Sequence, residues 1–158
     1  MAAPVYILRS VVDGVMAFCR RRVPHEALGV LVGTRCTHEG NRYVRVTDWA
    51  TGSVSSGPVH AEFLERGVVE YNIELDEKYG TERRQRIVGV FHSHPFGERP
   101  ALSERDIETF TAFPYATEGN VFILVNPLSG HFLVYVWDRE RGLVETEWVE
   151  YAPKAPET

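Results

Sequence analysis

Two histidines and an aspartate carry the first chemical signal in the chain, laid out as His92-Ser93-His94-Pro95 and Ser103-Glu104-Arg105-Asp106. The histidines close an apolar, β-branched run, Ile87-Val88-Gly89-Val90-Phe91, which reads as a strand. Residues i and i+2 of a strand point to one face, so both imidazoles can converge on one point. Asp106 falls one turn into a helix that starts at Ser103, and a helix packed against the strand end can bring its carboxylate to the same place. Two neutral ring nitrogens and one carboxylate oxygen suit Zn2+. Three protein ligands leave the fourth position to water, the arrangement of a catalytic rather than a structural zinc. The expectation is one Zn2+ per chain, on His92, His94 and Asp106.

Upstream, Pro24-His25-Glu26-Ala27-Leu28-Gly29-Val30-Leu31-Val32-Gly33 sets an acid at the mouth of an apolar run. Zinc lowers the pKa of bound water towards ~7. A nearby carboxylate can take that proton during attack and deliver it to a leaving amine. Glu26 is the candidate for this role, and Ser103 has a hydroxyl to aim at the oxyanion of a tetrahedral intermediate. Each residue also has an ordinary explanation. A His-x-His pair at a strand end is a weak signal alone, and a lone Glu26 would be a solvated acid at a strand start. Ser103-x-x-Asp106 is also a helix-capping signature, a Ser cap with an acid three residues on. Cap and metal are compatible, because a hydroxyl that accepts a backbone N–H keeps its own proton and a carboxylate has two oxygens. What favours a zinc site is the joint occurrence of all five residues in this order.

Together, Pro-x-Glu-x-x-Gly-x-Leu-x-Gly, His-Ser-His-Pro and Ser-x-x-Asp resemble the JAMM/MPN+ zinc metalloproteases, the deubiquitinase-like isopeptidases and their compact prokaryotic relatives, over roughly residues 5 to 137. The resemblance implies that His92, His94 and Asp106 are the zinc ligands, Glu26 the general acid/base and Ser103 the residue that stabilises the transition state. It also implies a deaminase-like MPN architecture. One departure is visible: Ser103 lies nine positions after His94, so the intervening loop, which includes Phe96 to Leu102, is one residue longer than the family pattern.

Composition sets bounds. The chain has 158 residues, 44% hydrophobic and 25% charged, an ordinary balance for one globular domain. A domain of this size buries about 70% of its unfolded surface. Residues 1–151 are expected to form that domain, with 152–158 a loose tail. The net charge of -5 argues against a general nucleic-acid binder. The basic cluster Arg83-Arg84-Gln85-Arg86 reads as helix-end charge and solvated loop. No apolar stretch is long enough to span a membrane and no signal peptide is evident, so a cytoplasmic location is the default expectation. Cys19 and Cys36 form no Cys-x-x-Cys motif, and Cys19 reads as a core residue. His25, His38, His60 and His131 read as surface or structural residues.

The elements that must position the site follow from periodicity. Val11, Val12, Val15, Met16, Phe18 and Cys19 predict a helix over Ser10–Arg22. Ala27–Cys36 reads as a buried strand and Arg42–Asp48 as its partner across the Thr37–Asn41 turn. Thr51–Pro58, rich in Ser and Gly, reads as a loop. Leu64, Val68, Tyr71, Leu75 and Tyr79 predict a helix over Ala61–Tyr79, ended by Gly80. The site helix is expected over Ser103–Phe113, strands over Val121–Val125 and Phe132–Trp137, and a last strand over Leu143–Tyr151. This order gives an α+β (α/β layered) fold, a mixed sheet flanked by helices.

Three functions compete. The first is a zinc isopeptidase acting on a ubiquitin-like or sulfur-carrier-like protein, a substrate class supplied by the resemblance alone. Its pathway partners would be activating (E1-like) and conjugating (E2-like) enzymes of a bacterial ubiquitin-like or antiphage system. The second is a non-catalytic MPN-type scaffold, disfavoured because Glu26, His92, His94, Ser103 and Asp106 are all present. The third is a zinc hydrolase of small amides or peptides. The short span from Asp106 to the next strand leaves little room for the long insertion that shapes ubiquitin-chain specificity in eukaryotic relatives.

Overall fold

The computed structural model describes residues 4–57, 61–80, 86–110 and 117–153. The chain opens with β1 (Val5–Leu8), which runs directly into α1 (Arg9–Arg22), and the long hairpin β2 (Leu28–His38) and β3 (Asn41–Ala50) follows. A small hairpin, β4 (Val54–Ser56) and β5 (Ala61–Phe63), leads into α2 (Glu65–Tyr79). The site strand β6 (Arg86–Ser93) and α3 (Glu104–Phe110) come next. The chain ends with β7 (Val121–Asn126), β8 (His131–Asp138), β9 (Gly142–Glu145) and β10 (Trp148–Tyr151).

Eight of these strands form one mixed sheet in the order β10-β1-β3-β2-β6-β7-β8-β9, with β4 and β5 apart as a pair. The central strands are those with near-continuous apolar runs. All of β7 and all but the first two residues of β6 are buried, as strands covered on both faces require. β6 and β7 run parallel, so the chain must cross over between them, and α3 lies in that crossover.

β9 and β10 lie at opposite ends of the strand order, yet only Thr146 and Glu147 separate them in sequence. Three residue steps span at most about 11 Å. The sheet must therefore curl until its two edges nearly meet. Phe132 of β8 and Trp148 of β10 touch across the seam, with ring centroids 4.9 Å apart. α1 lies inside the curl. Its buried residues Val11, Val15 and Cys19 join a core with Val5 and Ile7 of β1, Val44 and Val46 of β3, Phe91 of β6, and Val134 and Val136 of β8. Phe91 is fully buried against Phe18 and Trp49. Burying a side chain of that kind is worth about 1.5–3 kcal/mol relative to exposure.

α2 covers part of the opposite face, with Tyr71 and Leu75 packed on Val30, Ala50, Val90 and Phe122. Asp48 of β3 holds its C-terminal end: one carboxylate oxygen accepts from Lys78 Nζ at 2.6 Å and from the Tyr79 hydroxyl. No helix among the described residues is long and apolar enough to cross a membrane.

Several sequence expectations are corrected. The short β1 was hidden by its direct junction with α1, although its burial alternates as a strand's should. The first turn of the expected Ala61–Tyr79 helix is instead β5, because Ala61–Phe63 pairs with Val54–Ser56 inside the expected Thr51–Pro58 loop. The single strand expected over Leu143–Tyr151 is two strands, since β9 pairs with β8 and β10 with β1 on the other edge. Gly80 does end α2, at φ +61. The last residues of the expected Ser103–Phe113 helix, Arg83–Gln85, His60 and residues 154–158 of the expected tail lie outside the described residues.

α2 approaches the 51–57 segment so closely that a Cβ on Gly67 would sit 2.1 Å from Ser53 O. Alanine in place of a helical glycine ordinarily stabilises by about 0.5–1 kcal/mol. Here Gly67→Ala is expected to destabilise by about 1–3 kcal/mol through overpacking, read as a lowered urea midpoint with an unchanged slope. A raised midpoint would show that the close approach does not constrain the helix.

Candidate metal centre

The register of β2 and β6 builds the site. Leu28 lies opposite His92. Beyond it, Ala27 N donates to Ser93 Oγ at 2.7 Å and Ser93 N donates to Ala27 O at 3.0 Å. Facing residues share one side of a sheet and alternate along it. Glu26 and Leu28 therefore fall on the side of His92 and His94, while Ala27 and Ser93 turn towards α1. On that side Ser93 is hydrogen-bonded to the Cys19 thiol, which burial pushes up to about 12 despite that bond. Glu26 N donates to Gly57 O at 2.8 Å, and His94 N donates to Val125 O at 2.8 Å. The two ends of the site are thus tied to the 51–57 segment and to β7.

α3 delivers the second acid. Asp106 N donates to Ser103 Oγ at 3.0 Å, and Ser103 N donates to Asp106 Oδ2 at 3.0 Å. This reciprocal capping box fixes the carboxylate before it meets any histidine. With the loop at this length, Asp106 reaches both imidazoles.

His92 Nε2 lies 2.5 Å from Glu26 Oε1, and His92 Nδ1 lies 3.3 Å from Asp106 Oδ1. His94 Nε2 lies 3.1 Å from Asp106 Oδ2. The two rings meet edge to face at 4.9 Å. All four residues are buried: Glu26 is 2% exposed, His92 6%, His94 5% and Asp106 7%. Burial disfavours the His92 imidazolium, but hydrogen bonds to Asp106 and Glu26 outweigh it and raise His92 to about 9. Burial likewise pushes the Asp106 carboxyl up. His92, His94 and the Ser103 backbone N–H override that and hold it well below the usual carboxylate range.

The donor set fits a divalent metal. Ligand atoms of Glu26, His92 and His94 all lie within 4.8 Å of one another. Asp106 lies beside both imidazoles, with Oδ1 3.3 Å from His92 Nδ1 and Oδ2 3.1 Å from His94 Nε2, while Glu26 faces the other nitrogen of the His92 ring. The 2.5 Å between Glu26 and His92 is shorter than either distance, so these two groups are hydrogen-bonded to each other directly. Two buried carboxylates also call for positive charge. Without a metal, protonated His92 supplies it; a divalent cation would replace that proton.

All five residues singled out in the sequence, Glu26, His92, His94, Ser103 and Asp106, gather at this strand end. His25 and His38 are exposed, and His131 is half-buried with its Nδ1 2.8 Å from Ser129 Oγ. Cys19 and Cys36 are free thiols, and Cys19 is buried in the core. Two buried polar residues beside the site carried no role in the sequence reading. Ser93 closes the β2–β6 ladder through its hydroxyl. Asn126 is fully buried and donates to three carbonyls of the loop after His94.

The sequence model of a family described as prokaryotic homologs of the JAB domain matches residues 8–142. No curated protein gives a significant match. Among solved structures, the chain is similar to the solution structure of protein DSY2949 from Desulfitobacterium hafniense, at 19% identity over 94% of each chain with a TM-score of 0.59. That likeness establishes the fold: mixed α+β, with a curled sheet flanked by helices.

Because ligand imidazoles must be neutral, metal loading at pH 7.5 is expected to displace about one proton, from His92. Calorimetric titration of zinc into chelator-treated protein, in buffers of different ionisation enthalpy, would measure it. The metal-free protein has the opposite pH dependence. The His92 contribution to stability is full below its unfolded value near 6.5 and fades as pH rises through about 9. The Asp106 contribution is full above the ordinary carboxylate range and fades only in acid, as pH falls towards its depressed folded value. Urea midpoints of metal-free protein that do not fall between pH 6.5 and 9 would contradict the first of these assignments.

Proposed function

The chain belongs to the family of prokaryotic homologs of the JAB domain, and from that premise we propose that it is a zinc-dependent isopeptidase. Its substrate on this reading is the peptide or isopeptide bond that follows the C-terminal tail of a ubiquitin-like or sulfur-carrier-like protein. One observation carries the catalytic part: two acids and two histidines, drawn from three separate segments, are buried together at the end of a central strand, with ligand atoms of Glu26, His92 and His94 all within 4.8 Å of one another.

We assign His92, His94 and Asp106 as the zinc ligands. A zinc ion held there would acidify water and polarise the scissile carbonyl. Glu26 takes the proton of the attacking water and returns it to the leaving lysine or α-amine nitrogen. Its Oε1 meets His92 Nε2, on the other side of the ring from Asp106, which leaves Oε2 for the proton. Ser103 accepts the Asp106 amide and keeps its own O–H to donate to the developing oxyanion.

A folded ubiquitin-like domain cannot place its core beside a recessed metal, so a flexible tail must enter. Two segments flank the route on this reading. The 51–57 segment, which contains β4, meets Glu26 through Gly57, and the 96–102 loop follows directly on His94. An extended tail lying between them would be held by backbone hydrogen bonds, as in strand addition. Small residues before the scissile bond are preferred because bulky ones would clash beside the histidines.

Glu26→Gln is expected to retain zinc and fold while turnover of a fusion to the natural partner drops about 10²–10⁴-fold. Equal turnover by this variant and wild type would remove Glu26 from the mechanism. Alanine at His92 or His94 should strip the metal, read by elemental analysis, because two protein ligands hold zinc poorly. Ser103→Ala separates two roles: loss of the cap costs about 1 kcal/mol, and loss of the oxyanion donor costs about 10²–10³ in kcat. Replacing the final glycine of the tail by alanine, leucine or phenylalanine should lower cleavage in that order. Equal cleavage of all three would favour a broad peptidase, and metal-loaded protein that cleaves none of the fusions would favour a scaffold.

A further inference from the structure

Asn126 is the last residue of β7 and is fully buried. Its Oδ1 accepts from Leu128 N at 2.9 Å and from Ser129 N at 3.3 Å. Its Nδ2 donates to the carbonyls of Phe96, Gly97 and Glu98 at 3.1, 3.1 and 3.0 Å. Backbone amides only donate and carbonyls only accept, so these partners fix which way the side-chain amide points. The two amide protons sit in a cup of three carbonyls, which bends the loop sharply around them. Gly97, at φ +69, supplies the left-handed residue that the bend requires. Ser129 Oγ donates to Glu98 O at 2.7 Å and closes the loop from outside.

This latch holds the chain immediately after His94. Phe96 lies flat on the His94 ring, with centroids 5.3 Å apart and planes inclined by 14°. Phe96 is 48% exposed, so core burial does not account for its position. His94 Nε2 faces Asp106, and its ring meets His92 edge to face. The flat contact from Phe96 restrains rotation about the ring's last torsion, which is intrinsically broad.

We propose that Asn126 is a positioning residue for His94: it latches the 96–98 backbone so that Phe96 packs on the imidazole and fixes its direction towards the metal. The proposal rests on His94 being a ligand. Groups that orient a ligand typically contribute 10–100-fold in metal affinity.

The test uses Co2+ titrated into chelator-treated full-length protein, with affinity and the visible spectrum as readouts, and needs no substrate. Phe96→Ala, at a half-exposed position, is expected to weaken Co2+ binding about 10-fold or more and to shift the spectrum. Phe96→Tyr should restore both. Asn126→Asp turns the donors into acceptors facing three carbonyls, and should reproduce the Phe96→Ala spectrum while the protein still melts cooperatively. Should that variant not fold, Gly97→Val strains the same exposed loop without touching the core and must move affinity and spectrum in the same direction. Wild-type affinity and spectrum in Phe96→Ala, or in the folded latch variant, overturn the proposal. Wild-type protein that binds neither Co2+ nor Zn2+ overturns the metal reading as well. Wild-type protein that binds metal but cleaves no fusion overturns only the isopeptidase reading.

Discussion

Burial of two carboxylates against two imidazoles is the constraint on which the site depends. Glu26 and Asp106 are almost fully removed from water, and an unpaired charge in such a place would cost several kcal/mol. Positive charge opposite them, as a proton on His92 or as a metal, offsets that cost. The β2–β6 register sets Glu26 beside the histidines, and the capping box sets Asp106. A shift of one residue in that register would turn Glu26 to the other face and leave it among the apolar side chains around α1.

The curl of the sheet makes this burial possible. A flat eight-stranded sheet would need a separate cover for each face. Here α1 is enclosed by the sheet itself, so its residues pack against β1, β3, β6, β7 and β8 together. The opposite face is then free for α2 and for the crossover that carries α3. Parallel pairing of β6 and β7 requires that crossover, and the crossover brings Asp106 back to the end of β6. The second acid therefore arrives through topology as much as through sequence spacing.

Polar groups near the site are used more than once. Ser93 closes the β2–β6 ladder with its hydroxyl and backbone and also meets Cys19 on α1. Asp106 Oδ2 accepts the Ser103 amide and faces His94. Asn126 uses both ends of its amide to join the turn after β7 to the loop after β6. Such shared bonds couple the ends of three strands, so the geometry around His94 is set by several weak restraints acting together rather than by one strong contact.

The sequence by itself determined the residue types and the local periods. His92 and His94 share a face because strands have a period of two, and Ser103 and Asp106 form a capping box because a helix begins there; both follow from spacings of two and three residues. The apolar runs of β2, β6 and β7 were legible for the same reason, as was the end of α2 at Gly80. What only the tertiary structure decided involves contacts between distant segments. Glu26 meets His92 across 66 positions, and Asn126 finds its carbonyls 28 to 30 positions away. The joint motifs grouped Glu26 with the histidines, but no local spacing marks the contact itself, and nothing marked the Asn126 pairing. The run from Leu143 to Tyr151 alternates like one strand, yet its two halves pair on opposite edges. Alternation reports that a segment is extended and half-buried, but hydrogen-bond partners are chosen by how far the whole sheet curls.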